Sequence, residues 1–259
     1  MFAWLKNRRR RQLLATPFPD NWLAYLDAVK YYHFLAEPDQ DRLRDALRIF
    51  IAEKTWEGCK GLVLTEEMQV TVAAMACLLV LGMESFYFDN VQTVLLYPEG
   101  FVGKERQGLT DEFYLEQDTA RIGEAHYRGP VILSWAEIQL DAQDPGHGTN
   151  LVIHEFAHQL DMLNGSADGV PLLPPELEER WQTIMSREYT RLERHARRET
   201  LIDPYGATDP AEFFAVVSES FFDTPLELKH THARLYQLLS DYYRQDPASW
   251  KKKNDCTSH

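Results

Sequence analysis

Apolar residues recur at three- and four-residue spacing from Asn21 to Leu35 and again from Asp39 to Glu53, with Pro38 between the two segments. That period lines up one face of a helix, so the pair predicts two antiparallel helices. A third helix is predicted over Thr65 to Leu81, where Val70 to Leu81 is almost wholly apolar and reads as a buried core helix. The pattern then changes character. Val91 to Tyr97 is rich in branched and aromatic residues and stops at Pro98, and Pro130 to Trp135 is similar, so both predict strands. Asp141 to Asn150, with Pro145, Gly146 and Gly148, is a polar loop. Beyond it the helical period returns over Leu151 to Leu163, Pro175 to Thr200, Asp209 to Phe222 and Pro225 to Arg244, interrupted by a loop through Asp203-Pro204-Tyr205-Gly206.

These elements predict an α+β chain that is mainly helical with a small sheet. The 259 residues contain no repeat or Ser/Gly linker. A soft boundary near residue 84 would set a helical N-terminal region, 1–84, apart from 85–259, with one compact domain as the alternative.

Composition narrows the class. Hydrophobic residues make up 44% and aromatics 12%, as in globular chains and unlike disordered ones. A net charge of -13 argues against direct nucleic-acid binding, which needs Lys and Arg to neutralise phosphates. Cys59, Cys77 and Cys256 form an odd, widely spaced set that fits a reducing compartment, and the residues after Cys256 are not those of a prenylation signal. Lys6 and Arg8 to Arg11 are followed by no secretory apolar segment, and the most apolar window is too short to cross a bilayer. A cytoplasmic protein without membrane partners is therefore expected. The arginine run reads as a solvated, partly disordered end, with contact to anionic lipid or a partner as the alternative.

The sharpest chemical signal is His154-Glu155-Phe156-Ala157-His158. At ~100° per residue, helical positions four apart lie ~40° from each other, so both imidazoles reach one ion from the same side. Glu155 is offset, which suits a general base beside the metal better than a ligand. Asn150 is a fitting N-cap and Asn164-Gly165 a stop signal. Catalytic zinc takes three protein ligands, and Asp161 and Asn164 stand where a third-histidine pattern needs Gly and His. A downstream carboxylate is expected instead. Glu212 opens a strongly apolar helix and is the candidate, while Asp209-Pro210-Ala211-Glu212 fits a capping box equally well. Glu219, seven residues on, and Asp161, three after His158, are candidates for orienting a ligand histidine, with capping or solvation as the alternative.

Four segments carry a family resemblance: Val94 to Pro98, Gly129 to Trp135, Asn150 to Gly165 (NLVIHEFAHQLDMLNG) and Tyr205 to Phe222 (YGATDPAEFFAVVSESFF). Together they resemble the Mlc titration factor A family of bacterial zinc metallopeptidases. The catalytic part is also similar to the anthrax lethal factor protease domain. The resemblance implies a zincin-like fold with an HExxH active-site helix. It implies Zn2+ held by His154, His158 and Glu212 in the gluzincin manner, with Glu155 as catalytic base and Tyr205 pointing into the site. It further implies peptide hydrolysis of aminopeptidase-like character and a partner, the glucose-responsive repressor Mlc. The arginine run and Ser220 depart from the family's pattern. On this reading the Val131 to Trp135 strand is a candidate edge for an extended peptide substrate. A zinc-containing module that sequesters a repressor without catalysis is the alternative.

Overall fold

The structure, a computed structural model, describes residues 2–99, 129–195 and 201–254. Cys256 and the end of the Pro175 to Thr200 segment lie outside the described residues. Helix α1 (Phe2–Leu14) is followed by α2 (Asp20–Asp27), α3 (Lys30–Phe34) and α4 (Glu37–Glu53), then strand β1 (Thr55–Gly58), α5 (Glu66–Leu79), β2 (Thr93–Tyr97) and β3 (Val131–Ser134). The C-terminal part comprises α6 (Trp135–Gln143), α7 (Leu151–Asp161), α8 (Pro175–His195), α9 (Pro210–Asp223), α10 (Pro225–Thr231), α11 (Ala233–Tyr243) and α12 (Pro247–Asn254). The α+β expectation holds: helices dominate around one small sheet.

That sheet has the order β1-β2-β3 and is parallel throughout, with Val94 opposite Trp56 on one side and Val131 on the other. Parallel neighbours need a crossover, and α5 supplies the one between β1 and β2. α5 is buried on nearly every face, as a helix without a polar stripe must be. Around it the core runs as one hydrophobic cluster from Leu26 to Ala248. Phe50, Phe88 and Phe156 meet edge to face, linking α4 and the residues before β2 to α7.

Several local expectations are corrected. Asn21 to Leu35 is two helices, because Val29 is extended between them. In one continuous helix Tyr31 would lie ~140° from Leu26, and the break lets Leu26, Val29, Tyr31 and Tyr32 all be buried. α2 and α4 both pack chiefly on α5 instead of forming a self-contained pair, since α5 offers the apolar surface. The arginine run is not a loose end but lies on α1, which packs on α4. Pro225 to Arg244 breaks at His232 into α10 and α11. β1, α6 and α12 carry too little periodicity in four to nine residues to have been predicted.

Candidate metal centre

α7 is anchored at its start. The Asn150 side chain accepts from the Ile153 N–H at 2.9 Å, as an N-cap should, and the Asp141 carboxylate accepts from the Leu151 N–H at 2.8 Å. Gly165, with φ of 95°, ends the run in the left-handed conformation that glycine allows. Val152, Ile153, Phe156, Ala157 and Leu160 are buried, which turns His154, Glu155 and His158 toward the half-open side.

α9 packs more extensively on α7 than on any other described helix and delivers the carboxylates. Asp209 caps it, accepting from the Glu212 N–H at 2.9 Å, so half of the capping-box expectation is met. The Glu212 side chain turns to the histidines: its Oε2 lies 3.1 Å from His154 Nε2 and 3.5 Å from His158 Nε2. The two Nε2 atoms are themselves 3.2 Å apart. Ligand atoms ~2.05 Å from a tetrahedral ion stand about 3.3 Å from one another, so these three separations match the edges of such a site. Glu212 Oε2 is buried yet makes no hydrogen bond of adequate geometry, despite its short approach to His154. A divalent cation would satisfy it, and His154, His158 and Glu212 are the group among the described residues able to hold one.

Around this trio the supporting contacts are specific. His154 Nδ1 donates to Glu219 Oε1 at 2.6 Å, which leaves Nε2 to face the centre. Glu219 Oε2 accepts from the Asn150 N–H at 2.5 Å, tying the start of α7 to the middle of α9. Burial opposes charge on His154, but the Glu212 and Glu219 carboxylates outweigh it and push the imidazole pKa up to about 10. Burial likewise works against ionised Glu212, and the two imidazoles outweigh it, holding the carboxyl below the usual range. The negative charge that raises proton affinity at this point raises affinity for a metal cation there too.

Tyr205 sits in a 3-10 turn, Pro204–Ala207, whose Asp203 side chain accepts from the Tyr205 N–H at 2.8 Å. The residue is 53% exposed, with its ring centroid 6.1 Å from that of His154. Glu155 is half-buried on the same side of α7. For Asp161, where orienting a histidine and capping or solvation stood as alternatives, the contact is with a loop: it accepts from the Gly169 N–H at 2.9 Å. Burial pushes its pKa up to about 6. Gly169 has φ of 76°, and a Cβ there would stand 2.3 Å from the Pro210 carbonyl, so Asp161 braces a loop pressed against the start of α9.

Other contributors escaped the sequence reading. Asp223, buried at the end of α9, accepts from Tyr31 Oη at 2.6 Å and Gly146 N–H at 2.8 Å, and also from Gly148 N–H. Asn150 Nδ2 donates to Tyr31 Oη at 3.2 Å and closes the network. The one signal available was an aspartate placed after an apolar helical run.

The geometry is that of a group able to hold a metal ion, and comparison with known proteins gives the class of the chain. Residues 4–244 match the family described as Glucose-regulated metallo-peptidase M90, and the chain belongs to that family of metallopeptidases. An uncharacterized protein of Synechocystis sp. is 41% identical over 251 residues, covering 94% of this chain and 90% of its own. Mlc titration factor A of Klebsiella pneumoniae is 34% identical over 232 residues (88% and 87%), and that of Serratia proteamaculans 36% over 220 (82% of each).

Proposed function

We propose that this chain is a zinc-dependent peptidase of gluzincin type and zincin-like fold, with His154, His158 and Glu212 as ligands. The observation that carries the reading is the mutual spacing of the three ligand atoms at 3.1, 3.2 and 3.5 Å. Two imidazoles and one carboxylate suit zinc among the divalent metals. When bound, zinc supplies Lewis acidity, which acidifies water toward a pKa of ~7 and polarises a carbonyl.

The chain's own residues supply the rest. Glu155 takes a proton from the attacking water and returns it to the leaving amine as the C–N bond breaks. The Tyr205 phenol donates a hydrogen bond to the oxyanion that develops on the attacked carbonyl. Glu219 holds the His154 ring so that its Nε2 stays directed at the centre. β3, at one end of the sheet order among the described residues and packed beside α7, is the strand along which an extended peptide would lie. Removing its side-chain pockets without changing peptide affinity would count against that role.

Aminopeptidase-like preference is part of the proposal: peptides with a free α-amine should be cleaved in preference to N-acetylated ones. The name of the curated relatives, Mlc titration factor A, supports a second role, binding of the repressor Mlc in the cytoplasm. No helix of the described residues is long and apolar enough to cross a membrane. Glu155→Gln separates catalysis from sequestration. The variant should retain one zinc by elemental analysis and lose hydrolysis by about 10²–10⁴-fold. A wild-type protein that binds the repressor but cleaves no member of a peptide library would favour the non-catalytic module.

A further inference from the structure

The five cations at Lys6 and Arg8 to Arg11 divide into two sets by what they touch. Lys6 and Arg10 face the body of the protein. Arg10 donates to both oxygens of Glu53, at 2.8 and 2.7 Å, and to Asp89 at 2.7 Å, while Lys6 pairs with Asp89 at 2.8 Å. These contacts fasten α1 down. Arg8, Arg9 and Arg11 are exposed, and among the described residues none of them pairs with a carboxylate.

The solvent face of α1 also carries large apolar groups. Trp4 is 59% exposed and Leu5 49%, and the Arg8 guanidinium lies 5.8 Å from the Trp4 ring centre. At ~100° per residue, Trp4, Arg8 and Arg11 fall within about 60° of arc, with Leu5 and Arg9 beside them. Arginines interleaved with Trp and Leu on an outward helix face are the composition of a segment that lies at a headgroup interface. Tryptophan is at home at that level, and arginine stems snorkel from it to phosphates. Next to Leu5 and Arg9 the surface sinks into a depression of about 580 Å³ where Lys6 and buried Lys54 are balanced by Glu53 and Asp89, so the positive charge of this edge is that of the exposed arginines.

We infer that α1 is a reversible docking surface for an anionic phospholipid bilayer, through Trp4, Leu5, Arg8, Arg9 and Arg11. This takes up the alternative held open for the arginine run, contact with anionic lipid, in place of a protein without membrane partners. A bilayer meets one face only, and the acidic remainder of a chain of net charge -13 is screened beyond a Debye length of ~8 Å. A nucleic acid could stack a base on Trp4 but would leave the exposed aliphatic Leu5 in water, which is why lipid is favoured.

Sedimentation of the full chain with vesicles tests this, using phosphatidylcholine alone and phosphatidylcholine with one third phosphatidylglycerol. Binding should appear with the anionic vesicles, fall as salt rises, and be absent with the neutral ones. Each arginine near such a surface contributes roughly fivefold, so the triple variant Arg8→Gln, Arg9→Gln, Arg11→Gln should partition about 100-fold more weakly. Its circular dichroism melt and peptide hydrolysis in solution should be unchanged, because Arg10 and Lys6 remain. A blue shift of tryptophan emission on binding should vanish in Trp4→Phe. Equal binding to both vesicle types, binding to neither, wild-type binding by the triple variant, or salt-sensitive binding to RNA in place of vesicles would each overturn the inference.

Discussion

Glu219 sets which nitrogen of His154 is available for binding. By accepting from Nδ1 at 2.6 Å it directs Nε2 to the point where His158 and Glu212 converge. Under the proposed reading, Glu219→Gln can keep an acceptor for Nδ1 but removes the charge and turns its amide NH2 toward the Asn150 N–H, and zinc affinity should fall about 10–100-fold in a chelator competition titration. An unchanged affinity would mean that Glu219 serves only the fold. At this scale the chain was partly legible. His154, Glu155 and His158 could be read because their relation is internal to one helix. Glu212 stood evenly between cap and ligand, because where its side chain turns depends on how α9 lies against α7. Glu219 and Asp161 were indistinguishable for the same reason, and only Glu219 meets an imidazole.

At the scale of the element, the start of α7 is the sensitive point. Asp141 accepts from the Leu151 N–H there, yet burial pushes its pKa up to about 7, against an ordinary value of 3.8. The folded protein therefore holds the proton where the unfolded chain has lost it. Stability from this group is fully present below pH ~4 and is lost as pH rises through about 7, at up to about 1.4 kcal/mol for each pH step of one across that window. Asp141→Asn keeps an oxygen acceptor without the titration. The melting temperature of the wild type, relative to this variant, should decline between pH 4 and 7, and a flat difference would contradict the assignment. Asn150 was readable as the N-cap because capping is local. Asp141 was not, since it reaches the helix from α6, an element too short to announce itself.

At the scale of the whole molecule, the site is held by groups far apart in the chain. Tyr31 on α3, Asp223 at the end of α9 and the loop glycines Gly146 and Gly148 meet in one buried network that sets how the chain enters α7. Asp223→Ala would leave two buried donors, Tyr31 Oη and the Gly148 N–H, without their acceptor, together with the N–H of exposed Gly146. Each buried group left unpaired costs about 1–3 kcal/mol, so urea denaturation should report a loss of roughly 2 kcal/mol or more. Tyr31→Phe removes two bonds, the one donated to Asp223 and the one accepted from Asn150, and should cost about 1–3 kcal/mol. A wild-type midpoint for Asp223→Ala would remove this network from the account of how the site is held.

The linear pattern alone determined the mainly helical α+β class, the two strands it predicted, the cap and stop of the HExxH helix and the pairing of its two histidines, because each rests on neighbours within about two turns. Folding in three dimensions decided the rest. It broke the Asn21 to Leu35 helix so that both tyrosines could be buried, seated the arginine-rich helix on Glu53 and Asp89, turned Glu212 inward and gave His154 to Glu219. Those outcomes depend on packing angles between α7, α9 and α5, and a side chain's partner across such an interface is set by geometry that no local spacing encodes.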